Sequence, residues 1–124
     1  MWNTPSKTRL VKIPALYATE HQSLSEKLVY LHFFLGNSDW YVCELNGQDT
    51  FFGFVILNGD LRNAEWGYFT LRKLDQINVC NIEVDCEDEQ YWEIKPAAQV
   101  DRISQAQGWN LPIKMMGQSE TATA

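Results

Sequence analysis

With 124 residues, 45% of them hydrophobic and 13% aromatic, the chain has the size and composition of one globular domain and not of a disordered segment. Sixteen acidic against ten basic residues leave a net charge of -6, which excludes non-specific binding to a phosphate backbone or an anionic membrane, since both need clustered Lys and Arg. No apolar run approaches the ~20 residues that span a bilayer, and the opening MWNTPSKTRLVKIPALY lacks the apolar stretch of a secretory signal.

Residues 1–12 carry Lys7, Arg9 and Lys12 without apolar periodicity and read as a loose arm. Pro14 suits the first turn of a short helix over PALYATEH, 14–21, with Leu16 and Tyr17 turned to the core. The capping-box spacing SLSE, 23–26, has no long helical pattern behind it. LVYLHFFL, 28–35, is apolar on both faces and rich in β-formers, which suits a strand in the middle of a sheet. GNSD, 36–39, is turn chemistry, and WYVCEL, 40–45, makes a second strand. Asn46-Gly47 is the strongest hairpin indicator in the chain. It leads into a third strand, TFFGFVIL, 50–57, whose Gly53 marks a bulge or a close approach of backbone. EWGYF, 65–69, is a fourth strand. Thr70 caps a short helix, LRKLDQI, with Leu71, Leu74 and Ile77 on one face. The acidic stretch that follows reads as a fifth strand or an extended edge, ended by Pro96. AAQVDRISQAQG forms a terminal helix with Val100 and Ile103 inward and Gly108 as its stop. The pattern predicts one α+β domain over 13–107, an antiparallel β-meander of four to five strands flanked by short helices. Residues 108–124 form a tail with a disordered end.

Three segments in order, IPALYATE, WYVCELNGQDTFFGFVI and EWGYFTLRKL, resemble a family of small bacterial proteins classed only as a domain of unknown function. That family is common on plasmids, conjugative elements and other mobile DNA. Its recurring pattern is a short PALYA-type helix, an aromatic strand ending in an acidic residue and NGxDTFFG, and a GYF-Thr/Ser-Leu corner from strand to helix. The resemblance covers about Ile13 to Pro96. It implies an α+β fold and a mobile-element setting, and it implies no activity. The acid density after Ile82 and the tail after Pro96 lie outside what it implies.

The residues that carry chemistry do not assemble into a catalytic pattern. Cys43, Cys80 and Cys86 form no close-spaced pair, as reduced thiols in a cytoplasmic protein do not. Cys43 reads as core. His32, between Leu31 and Phe33 in a strand, reads as a hydrogen-bonded structural histidine and not as a base. His21 and His32 have no thiols at zinc spacing, and DCEDEQYWE has Gln90 where a calcium loop needs glycine. No metal, cofactor or catalytic residue is therefore assigned. The glycines of NGQDTFFGF belong to a hairpin with no lysine beside it, so no phosphate loop is read there. Asp49-Thr50 reads as an Asx-type bond that fixes the turn. Neighbouring aromatics, Trp40 with Tyr41 and Phe51 with Phe52, must point to opposite faces of a pleated strand. If two small helices cover one face, the other shows an aromatic patch to solvent, and Phe52 belongs either to the core or to that patch.

IEVDCEDEQYWEI, 82–94, holds Glu83, Asp85, Glu87, Asp88, Glu89 and Glu93 with no basic residue among them. Six like charges would raise one another's pKa if buried, so the run is expected at the surface. It is either a charged edge that blocks strand pairing or a binding surface. In the second reading Tyr91 and Trp92 form the centre, the acids form the rim, and the field steers toward a basic partner. The leading function is then a non-enzymatic binding protein that occludes a basic nucleic-acid-binding surface of a host protein, of the anti-CRISPR kind given the mobile-element setting. Two alternatives stay open. One is a small metal-assisted hydrolase or nucleotide-binding enzyme using Asp49, Asp85, Glu87 and Asp88; the other is a homodimer paired through the sheet. Direct contact with nucleic acid or membrane is not expected.

Overall fold

A computed structural model describes residues 1–47 and 49–109. In chain order its elements are α1 (Lys7–Leu10), β1 (Leu28–Val29), β2 (Leu31–Leu35), β3 (Ser38–Leu45), β4 (Thr50–Ile56), β5 (Glu65–Thr70), α2 (Leu71–Gln76), β6 (Asn78–Val79), β7 (Ile82–Glu83), β8 (Asp85–Cys86), β9 (Lys95–Pro96) and α3 (Asp101–Gln107). Short 3₁₀ turns lie at Leu24–Glu26 and Ala97–Gln99. Strands β5-β4-β3-β2-β8 form a five-stranded antiparallel sheet, β1 pairs with β9, and β6 pairs with β7. The α+β meander expected from the sequence is the frame of the molecule, and the acidic stretch supplies its fifth strand. Among the described residues no helix is long and apolar enough to cross a membrane.

Both faces of this sheet are covered. Pleating sends Phe33, Trp40, Val42 and Phe51 to one side, where Leu10, Ile13, Leu74 and Val84 pack on them. It sends Tyr41, Cys43, Phe54 and Ile56 to the other, against Val29, Ala97, Val100 and Ile103. Strand β3 is consequently buried along its whole length, which is how Trp40 and Tyr41 can both be core. The expectation that helices cover one face alone is corrected here. Phe52 stays half-buried at the margin of the second core, stacked on Trp66 with ring centroids 5.8 Å apart and close to the exposed Tyr68.

Gly53 proves to be both a close approach and the neighbour of a bulge. A Cβ there would lie 1.7 Å from the Tyr41 carbonyl oxygen, and the β3–β4 register shifts between Val42 and Glu44. The Thr70 cap forms as expected, its hydroxyl accepting the Lys73 N–H at 3.1 Å. So does the Gly108 stop of α3, at φ 73°.

Four other expectations are corrected. The strand expected over 28–35 breaks at Tyr30, because Val29 and Leu31 belong to opposite cores and the alternation flips between them. The helix expected over 14–21 does not form. Pro14 O is taken by the Leu45 N–H at 2.9 Å, and the N–H groups of Tyr17 and Thr19 go to the Glu44 carboxylate. Tyr17 is left at φ 69° and exposed, and Leu16 is only half-buried. The Asx bond of the β3–β4 turn belongs to Asn46, whose Oδ1 accepts the N–H groups of Asp49 and Thr50, while Asp49 Oδ1 accepts the Arg72 N–H at 3.0 Å. Finally, the arm over 1–12 is docked and partly helical, for reasons given below. The tail after Trp109, expected to end in disorder, lies outside the described residues.

Candidate functional site

The acidic stretch forms one edge of the sheet. Cys86 lies opposite Phe33 and Asp85 opposite Phe34, and the Glu87 N–H continues the ladder to His32 O at 2.8 Å. Val84 and Cys86 point into the first core. The alternation therefore turns Asp85 and Glu87 to the face that carries His32 and Phe34.

Behind this edge His32 is held between two carboxylates. Its Nδ1 lies 2.7 Å from Glu87 Oε1 and its Nε2 lies 2.7 Å from Asp39 Oδ1. A neutral imidazole donates from one nitrogen and an imidazolium from both; in either form the ring links the two acids into one hydrogen-bonded chain. Arg102 Nη2 closes that chain on Asp39 Oδ2 at 3.0 Å. The ring stacks on Tyr41 at 4.5 Å and 7° and is flanked by Trp92 at 5.4 Å. Burial, followed by the Asp39 charge, pushes the Tyr41 phenol well above its usual value. This is the hydrogen-bonded histidine expected from the strand context, and its role is to clasp Glu87 to the sheet.

No protein-family model, curated protein or solved structure matches this chain.

The N-terminal arm supplies the counter-charge that the acidic stretch lacks. The Met1 amino group lies against Glu83 and, at 3.1 Å, Asp75; its bonds to Glu83 and then Asp75 raise its pKa. Asn3 donates its N–H and its side-chain amide to Asp85 at 2.8 and 3.2 Å. Arg9 Nη1 donates to Glu87 O at 2.9 Å, and Lys12 Nζ stands 3.7 Å from Glu89. Sequence reasoning missed these partners because they lie more than 70 positions away. The available hint was a basic segment with no other role in a chain whose acids were clustered elsewhere.

The two central aromatics separate. Asp88 O accepts the N–H groups of Tyr91 and Trp92 at 2.9 and 3.0 Å, and Asp88 Oδ1 accepts the Gln90 N–H at 3.2 Å. This turn leaves Tyr91 71% exposed. Trp92 turns inward instead, donating its indole N–H to Val29 O at 3.0 Å with Lys95 Nζ 5.3 Å from its ring centroid. Asp88, Glu89 and Glu93 are exposed, whereas Glu83, Asp85 and Glu87 are half-covered. A shallow cleft of about 510 Å³, lined among others by His32, Phe34, Asp85, Glu87 and Tyr91, opens on the same side.

The carboxylates of the alternative enzyme reading do not converge. Asp49 caps the start of α2 next to β4, and β3 and β2 stand between β4 and the Asp85 strand. Among the described residues no group of three His, Cys, Asp or Glu side chains is disposed to hold a metal ion. Burial pushes the Cys43 thiol up to about 12 and the Cys86 thiol up to about 11, the opposite of what an activated nucleophile needs.

A second polar cluster was not foreseen. Lys27 and Glu44 are buried together, Nζ to Oε2 at 3.4 Å. Lys27 Nζ also donates to the carbonyl and hydroxyl of Thr19, both at 2.6 Å. Burial by itself would raise the Glu44 carboxyl. The bonds from the Thr19 hydroxyl, the Tyr17 N–H and Lys27 outweigh it and hold the group below its usual value. The cluster pins the loop that presents Tyr17.

Proposed function

We propose that the protein is a non-enzymatic binding protein whose β8 edge occludes a basic surface on a second protein. The observation that carries this reading is the division within 83–93. Its inner acids are tied to the fold through Met1, Asn3 and His32, while Asp88, Glu89 and Glu93 stand exposed around an exposed Tyr91. A ring held by a hydrogen-bonded turn loses little freedom on binding. An aromatic within an acidic rim combines a contact centre with long-range steering. The resemblance to mobile-element proteins extends the proposal: the basic surface is the nucleic-acid groove of a host defence protein, and the protein acts in the cytoplasm as an anti-CRISPR-type inhibitor.

The test is capture of nucleic-acid-binding proteins from a bacterial lysate, comparing the wild type with Asp88→Lys/Glu89→Lys. The wild type should retain a basic protein that is released by competing DNA and by about 1 M salt, where the screening length falls to about 3 Å. The double variant should lose it. Equal retention by both proteins would remove the acidic edge from the interface.

A further inference from the structure

The two edges of the sheet are built differently. The β8 edge is two residues long, flanked by carboxylates and overlain by Asn3 and Arg9; short length and charge are how sheets prevent unwanted pairing. The β5 edge is less guarded: it is six residues long and its one charged residue, Glu65, lies at its start. All six residues from Glu65 to Thr70 pair with β4 without a register shift, and the strand contains no proline, no lysine and no bulge. Among the described residues no strand lies on its other side. Tyr68 is 56% exposed, and the space around Gly67 where a side chain would stand is empty. A row of backbone donors and acceptors left open in this way is a template for another strand.

We infer that the occupant is β5 of a second copy, paired antiparallel about a two-fold axis through Gly67 so that the two sheets become one. The strand itself favours this partner. Its first residue is the exposed Glu65, with Asp60 and the exposed Arg62 in the turn before it, and its other end leads into the exposed Arg72 and Lys73, so the complementary charges are Glu65 against Arg72 and Lys73. A two-fold axis sets each end beside the opposite end of the other copy. Pleating agrees, because opposed residues on antiparallel strands share a face. The axis through Gly67 therefore sets Trp66 against Tyr68 across it and glycine against glycine on it. The distribution of net charge agrees as well. The order β5-β4-β3-β2-β8 puts the acidic edge at the far side of the sheet, so pairing through β5 leaves both acidic edges outermost, where they repel least.

The inference does not depend on the proposed binding function, because it is read on the isolated protein. Sedimentation equilibrium of the full chain should show the mass rising from one copy to two with concentration. Amide hydrogen exchange in β5 should slow in parallel. Glu65→Lys alone and Arg72→Glu/Lys73→Glu alone should each weaken self-association about ten-fold, with the unfolding midpoint unchanged at concentrations where the wild type is monomeric, and mixing the two variants should restore association. A chain that stays monomeric overturns the inference. In that case β5 amides that are protected at every concentration assign the edge to residues 110–124 of the same chain, and fast-exchanging ones leave it free. A dimer indifferent to both charge changes overturns it equally, since its interface then lies elsewhere.

Discussion

Lys27 and Glu44 show how one buried charge can decide the path of a distant segment. The Glu44 carboxylate takes the Thr19 N–H that a helix over 14–21 would use, along with the Tyr17 N–H, and Lys27 neutralises the carboxylate out of reach of water. Removing one partner of a buried pair leaves the other uncompensated. Lys27→Met should therefore cost about 3–5 kcal/mol in urea unfolding, and a cost below about 1 kcal/mol would mean that water reaches Glu44 readily. The pH dependence has a definite sign. Because the Glu44 carboxyl lies below its usual value in the fold, its contribution is complete above the ordinary glutamate value of about 4.3 and is lost as pH falls through the depressed value. Stability measured from about pH 7 down to about pH 3 should fall less steeply in Glu44→Gln than in the wild type. Parallel profiles would show that the pair plays no part in acid unfolding.

The elements divide according to how local their causes are. Gly53, Thr70 and Gly108 were legible because each acts within a few residues of itself. At Gly53 the β3 backbone fills the space a side chain would need, so Gly53→Ala should destabilise by about 3 kcal/mol or more, or prevent folding. A neutral change would mean that the bulge at Cys43 moves to make room. The absence of a helix at 14–21, the break at Tyr30 and the docked arm were not legible. Their causes are a buried carboxylate, a change of core and a set of ion pairs, all supplied by residues far along the chain. The acidic stretch was legible as an edge strand with exposed charge, but the separate duties of its acids were not. Glu89→Lys should change stability by less than about 0.5 kcal/mol, as exposed substitutions do. Glu87→Lys should cost about 2 kcal/mol, since it places a cation on His32 and removes a charged hydrogen bond. Exchange of the Cys86 and Glu87 amides should quicken in the second variant alone; equal exchange in both would show that the clasp does not hold β8.

Across the whole molecule the charge of -6 is concentrated at one edge and only partly countered by the arm. Lys12 and Glu89 illustrate the residual balance: both are more than half exposed and stand 3.7 Å apart. A pair of this kind contributes at most about 1 kcal/mol, so Lys12→Gln should leave the unfolding midpoint nearly unchanged. Its effect on association should be larger and opposite to that of Asp88→Lys/Glu89→Lys. Removing Lys12 deepens the negative field around Tyr91, and a deeper field speeds the encounter with a basic protein. Measured against the protein captured in the lysate experiment, Lys12→Gln should raise the association rate severalfold at low ionic strength and leave dissociation unchanged. The two rates should converge as salt shortens the screening length. A slower association for Lys12→Gln would mean that the arm itself contacts the partner, and an unchanged one at low salt would mean that the field of the β8 edge does not guide the encounter.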